Sequence, residues 1–544
     1  MCNNRATKWL RTPGFEALEV KETPRRTFLL SHFPDSNRGP THYECVALPT
    51  EPKWRRVRQS FSEKRVQRYY IFLNCANFYA IILHIWYIFC TFAAEKGKSS
   101  YKFAGRMKKI RVALSLLFLA LTVHAQVSLH THSEQIRSLR VLTYDQIAEG
   151  VQLTPQRPFL LLTDGVVDGN DAANTLHISF DQMSHDVHFY TYTVEHMNAE
   201  WSEPSGLLSS EYLSGFTTQD ITAYEHSLNT MRIYTHYEFV FPNNDMRLTK
   251  SGNYRLFIYE DGNRDNRVAE VDFCVVEPIV GIDTKVRSNT DIELSGRYQQ
   301  VDLDVVTSAL GIKDPNELKV LVRQNNRTDN QVWLMKPTFI ENNRMRYINT
   351  KSLIFEGGNE YHHFDAFSAY YAGSGIDRVF FQNGDYQALL FPNEIATGQY
   401  IHQFDSDGRW IVNAERTSYP DTEAEYMWVH WTLPCENPWF DGAVYVGGDI
   451  FNNEIGLRNR MQYDNEAKCY WLTALVKQGG YDFQYWFVPK SNQPSAVSHQ
   501  KTTTQRTEGS YWQTENEYAV YVYWRPFGAR YDRLVGMKIL KSTL

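Results

Sequence analysis

Three groups of residues stand at spacings from which chemistry could be built. Asp261-Gly-Asn-Arg-Asp265 sets oxygen ligands at alternate positions, as a calcium loop does. Its sixth position is Asn266 rather than Gly, and its twelfth, Asp272, falls in a stretch that reads as strand, so a hairpin tip is the better reading. His362-His363 with Asp365 forms one tight histidine cluster, but no HExxH, second histidine pair or cysteine set completes a tetrahedron. We read it as a hydrogen-bonded loop. Gly373-Ser-Gly375 lacks the full G-x-S-x-G elbow. No Gly-rich turn leads from a strand into a helix, so nucleotide binding has no footing. The residues make no case for an enzyme, and none for a metal, a cofactor or a small-molecule substrate.

The elements that would position such groups are strands. No helical period is sustained after residue 126, while short alternating runs recur between turn residues. Val187–Val194 is aromatic and β-branched, and Gln300–Val305 alternates polar and aliphatic residues, with one solvated face and one packed face. Asn253–Tyr259 and Val268–Val276 flank the polar loop Glu260–Arg267 and predict a hairpin. Tyr518–Trp524 is apolar on both faces, as a fully buried central strand is. The pattern predicts an all-β protein of tandem β-sandwich (immunoglobulin/fibronectin-like) domains. We place an N-terminal sandwich at 126–280, a middle one at 281–420, after Glu277-Pro278, and a C-terminal one at 421–544, after the polar stretch Arg416–Glu425. The 200–224 region reads as long loop with one short helical turn, and Ser491–Gly509 as a mobile surface loop.

Charge and hydropathy divide the chain before that body begins. Met107–Gln126 has the three parts of a secretory signal: Lys108, Lys109 and Arg111, the apolar run Val112–Val123, and small residues at Val123 and Ala125. Cleavage is expected between Ala125 and Gln126. Residues 1–106 then read as spurious upstream translation, with a membrane anchor at the uncharged run Tyr69–Ala94 as the alternative. Through Ala125 there are 21 Lys and Arg against 8 Asp and Glu; beyond it, 35 against 54. An acidic body argues against nucleic acid and anionic lipid as partners. Of seven cysteines only Cys274, Cys435 and Cys469 follow Ala125, too few for a disulfide scaffold; Cys435 and Cys469 are left open between a bridge and two buried thiols.

The last block offers one sharper motif. Val444–Phe451, Arg460–Asp464, Tyr470–Leu475 and Tyr481–Phe487 follow in an order that resembles the glycogen-binding-type carbohydrate module, a small sandwich whose exposed tryptophans stack on sugars. Trp439, Trp471 and Trp486 are the stacking candidates, although alternation turns several of these rings toward the core. A periplasmic carbohydrate-binding protein, with polysaccharide as its partner, is the alternative reading.

A second resemblance spans nearly the whole body. Tyr190-Thr-Tyr-Thr-Val-Glu-His-Met-Asn-Ala-Glu-Trp201, Glu211–Phe216, Tyr234–Tyr237 and Ser251–Tyr254 come first, then Lys336–Phe339, Gly357–Glu360, Tyr426–His430, Thr514–Tyr518 and Arg525-Pro-Phe-Gly-Ala-Arg-Tyr-Asp-Arg533. In this order they resemble the plug protein of the Bacteroidota type IX secretion system. Met197 stands where that family usually has Cys. The resemblance implies a periplasmic protein, peripherally associated with the outer membrane, that occludes the translocon barrel and stops leakage when no substrate is engaged. The candidate contacts are then the tip with Asp261, Asn263 and Asp265, the 200–224 loop, and Arg525, Arg530 and Arg533.

Overall fold

Alternation of buried and solvated side chains along short strands builds three β-sandwiches. The computed structural model describes residues 129–143, 159–312, 314–341, 343–395, 398–490 and 502–542. The expected signal segment 107–125, its cleavage pair Ala125 and Gln126, and residues 1–106 lie outside these.

In the first sandwich one sheet runs in the order Leu129–Thr131, Arg267–Val276, Gly252–Glu260, Tyr190–Met197, Gln219–Ile221, with Phe159–Leu161 parallel to Arg267–Val276. The facing sheet runs Ile136–Thr143, Leu176–Gln182, Thr235–Phe241, Ala223–His226. Ile178, Phe180, Tyr237, Leu256, Val271 and Phe273 fill the space between them. The predicted hairpin is there: Gly252–Glu260 and Arg267–Val276 pair antiparallel around the 261–266 turn. The 200–224 region holds one helical turn, Ser209–Tyr212, and two short strands besides.

The second sandwich opposes Gly281–Arg287, Tyr298–Val306, Arg344–Tyr347 and Phe339–Glu341 to Gln331–Leu334, Leu318–Gln324, Glu517–Trp524 and Arg533–Lys541. Val301, Leu303 and Val305 point into its core, while Asp302 and Asp304 lie on the outer face. The third sandwich sets Ile376–Gln382, Asp385–Leu390, Tyr426–Pro434, Cys469–Lys477 and Gln462–Asp464 against Gly479–Pro489, which pairs with His362–Asp365, Trp410–Val412 and Gly442–Gly447.

This differs from three blocks in sequence. Strands from His362 onward belong to the third sandwich, and the C-terminal pair Glu517–Trp524 and Arg533–Lys541 returns to complete the second. The third sandwich is thus inserted into the second, and the boundaries 281–420 and 421–544 do not follow the packing. The reason Tyr518–Trp524 reads apolar on both faces is now visible: Tyr518, Val520 and Val522 fill the second core. Ala519, Tyr521 and Tyr523 pack with Leu321 and Leu534 against Met197, Ala199, Trp201, Cys274 and Val276 of the first sandwich. Such a shared apolar core fixes the two sandwiches as one body.

Two further expectations are corrected. His362 and His363 sit on a strand, not a loop. The described end of Ser491–Gly509 is no mobile surface loop, because Thr502, Thr504, Thr507 and Glu508 are buried between the second and third sandwiches. Glu508 there accepts from the Tyr485 amide at 2.7 Å and pairs with His362 at 2.9 Å. Cys274, Cys435 and Cys469 are all buried free thiols, so Cys435 and Cys469 are unbridged.

Candidate functional site

Asp261, Asn263 and Asp265 lie at the far end of the hairpin from the second sandwich, all exposed. Asp261 (φ 53°) and Gly262 (φ 63°) take the left-handed conformations the turn needs, which Asp and Gly tolerate. The Asn263 side-chain oxygen accepts from the Asp265 amide at 3.0 Å, so it serves the turn itself. The Asp261 amide donates to the Phe189 carbonyl at 2.7 Å, placing the exposed Phe189 ring beside the tip.

Arg525, Arg530 and Arg533 are engaged within the chain. Arg533 holds Glu277 at 2.7 Å and lies over the Trp524 ring, while Arg530 binds the Gly206 carbonyl and the Glu211 carboxylate. The Leu208 amide and then Arg530 hold Glu211 below the usual carboxylate range. Arg525 closes its own loop onto the Ala529 and Arg530 carbonyls. Beside them Asp532, almost wholly buried, accepts from the Ala199 amide at 3.1 Å, and Lys319 reaches Glu200 at 2.7 Å. The structure therefore brings the 200–211 and 525–533 candidates together, as the polar rim of the joint between the first two sandwiches. Phe527, at the apex of that loop, is left entirely exposed.

The three tryptophans form no common platform. Trp486 is completely buried, with the Arg327 guanidinium 4.1 Å from its ring centre. It is removed from the stacking candidates because the seam between the second and third sandwiches covers it. Trp439 packs against Tyr470 and Phe487, each 5.6 Å away between ring centres. Trp471 lies half-buried on the outer sheet face opposite Thr432.

An ionic cluster at the joint of the first and third sandwiches escaped the sequence reading. Lys477 and Asp181 are both buried and meet at 2.6 Å. Asp181 also takes His236 at 2.7 Å and the Tyr426 hydroxyl at 2.7 Å, and Lys477 sits 4.3 Å from the Tyr234 ring centre. Burial alone would push the Asp181 carboxyl up, but Lys477 and His236 outweigh it and hold it below the usual range. At the rim of the same joint Arg232 grips Asp385 with two bonds of 2.6 and 2.5 Å. The one signal in the sequence was a lysine ending the apolar strand Cys469–Lys477.

His363 lies on the strand His362–Asp365 of the third sandwich. Asp482 at 2.6 Å and Asp365 at 2.8 Å raise its pKa to about 9, against the effect of its partial burial. It stays charged and structural, bridging two strands. Among the described residues no cluster of His, Cys, Asp and Glu has the arrangement to hold a metal ion.

Residues 164–277, most of the first sandwich, match the family described as "Type 9 secretion system plug protein 1st domain". None of the curated proteins matches the chain. Among solved structures, the chain is similar to a hypothetical protein from Parabacteroides merdae ATCC 43184, at 35% identity and a TM-score of 0.70, over 77% of this chain and 100% of that one. The matched first domain carries the motifs Tyr190–Trp201, Glu211–Phe216, Tyr234–Tyr237 and Ser251–Tyr254 that resemble the plug family, and the chain belongs to the type IX secretion system plug protein family.

Proposed function

We propose that the chain is a non-enzymatic periplasmic plug that occludes the outer-membrane translocon barrel of the type IX secretion system from below and prevents leakage when no substrate is engaged. The observation that carries this reading is the match of the first sandwich to the plug-family first domain. The joints support it physically. An occluding body must keep its shape against solvent flow, and a shared apolar core with a buried ionic cluster holds the three sandwiches in fixed relation. The exposed tip 261–267 with Phe189, and the exposed Phe527, are surface features that a releasable contact could use.

The test is a pull-down of the C-terminally tagged protein from gently solubilised outer membranes, with N-terminal sequencing of the bait. Recovery of a very large barrel protein, with the bait beginning at Gln126, is the expected result. A bait that comes down alone removes the plug reading, and one that begins upstream of Met107 removes the expected cleavage.

A further inference from the structure

A cavity of about 310 Å³ lies between the first and third sandwiches. One wall is the stretch Ile136–Leu139, another the loop around Ile450–Asn459, and the third is the strand Cys469–Lys477. The register of that strand decides what it presents. The Cys435 amide donates to the Lys468 carbonyl and the Gln478 amide to the Glu425 carbonyl, at the two ends of its ladder with Tyr426–Pro434. Residues 470, 472, 474 and 476 must then bond to Tyr426–Pro434, and residues 471, 473, 475 and 477 turn their N–H and C=O groups to the other side. Gln462–Asp464 covers that side only as far as Trp471. The Lys477 carbonyl takes the Tyr481 hydroxyl. The outward N–H and C=O of Thr473 and Leu475 are left with no backbone partner among the described residues, and both residues line the cavity.

A bare strand edge inside a sheltered cleft is complementary to one kind of molecule above others, an extended peptide backbone. A second observation adds a charge preference. Arg137 lines the same cavity, and its Nε is buried without a hydrogen-bond partner. Burial, and after it the like charge of Arg458 across the cleft, hold the Arg137 guanidinium below its ordinary range. An unpaired buried donor is costly and is satisfied by an incoming acceptor. The carboxylates already there are committed or outlying: Glu454 is bound to His130, and Glu134 is exposed. A sugar is a poorer fit, since the aromatic faces are taken. Trp410 is stacked on Tyr481 at 5.5 Å, and Trp428 lies under Arg232 with its indole N–H on Asp385.

We propose that this cleft binds an extended segment of a partner protein by edge addition to Cys469–Lys477, through Thr473 and Leu475, with Arg137 receiving an acidic side chain of that segment. The proposal holds whether or not the chain occludes a barrel, because it rests on the strand edge and on the Arg137 Nε, which has no partner among the described residues.

The experiment pans a display library of random decapeptides against the full chain and against Leu475→Pro. Proline at 475 deletes an outward N–H and no bond to Tyr426–Pro434, as edge positions tolerate, and its fold is checked by circular dichroism and melting. The expected result is enrichment, on the parent only, of β-prone sequences with Asp or Glu at a fixed place. The best peptide then loses affinity about tenfold on Leu475→Pro and about tenfold on Arg137→Gln. Exchanging its acid for the amide reproduces the Arg137→Gln loss and adds nothing on that variant. Should Leu475→Pro not fold, N-methylation of the peptide at alternate residues replaces it: one phase abolishes binding and the other spares it. No enrichment, equal binding to the variants, or indifference to the methylation phase overturns the proposal.

Discussion

Replacing Lys477 by Met takes the ammonium from the buried Asp181 carboxylate and leaves it His236 and the Tyr426 hydroxyl, and breaking a buried ion pair costs up to about 3–5 kcal/mol. The variant is expected to melt well below the parent, with Asp181→Asn added to it recovering part of the loss. That recovery, read by thermal denaturation, separates charge from packing. His363 gives a pH signature with a definite sign. Its ring titrates near 6.5 when unfolded and at about 9 in the fold. Its contribution is therefore complete below pH 6.5 and disappears as pH rises through 9. His363→Gln should melt lower than the parent at pH 6 and match it near pH 10. Trp486→Ala opens a void beside Arg327 and should cost about 3–5 kcal/mol of stability, the range for emptying a buried aromatic. A soluble, fully stable Trp486→Ala protein would reopen its role as a surface ring.

At the scale of elements, the hairpin tip separates function from fold. The 261–266 turn is exposed, whereas Arg267 belongs to the strand and holds Glu270, so shortening 261–266 to a two-residue Asn-Gly turn with Arg267 kept should leave the melting temperature within about a degree or two. Under the plug reading the same change weakens recovery of the barrel in the pull-down; unchanged recovery removes the tip from the contact surface. Strands such as Gln300–Val305 and the Asn253–Val276 hairpin were legible because solvent on one face imposes alternation. What was not legible has a common cause. Arg530, Arg533 and Trp486 look like surface groups in the sequence, and only packing against strands far away in the chain turns them into joint and core. The Asp181–Lys477 pair is hidden in the same way, its partners 296 residues apart.

At the scale of the whole molecule, the insertion of the third sandwich into the second is open to a simple cut. A chain ending at Asn516 lacks Glu517–Trp524 and Arg533–Lys541, which cover Val320, Val322 and Val301. Three independent blocks in sequence would lose only the last of them. The observed topology predicts that the truncated protein exposes the second core and the joint to the first sandwich, and that limited proteolysis then cuts within residues 281–356 while the strands from 362 to 489 stay protected. Protection of 281–356 in the truncated chain would contradict the topology. The insertion also sets an order in time. Leu321 finds its neighbour, Tyr521, 200 residues later, so the second sandwich cannot close until the last strands have been made. Until then a half-sheet of valines waits unpaired beside a third sandwich already able to fold. A chain built this way has a slow final step, and its nascent form is the state most in need of a chaperone.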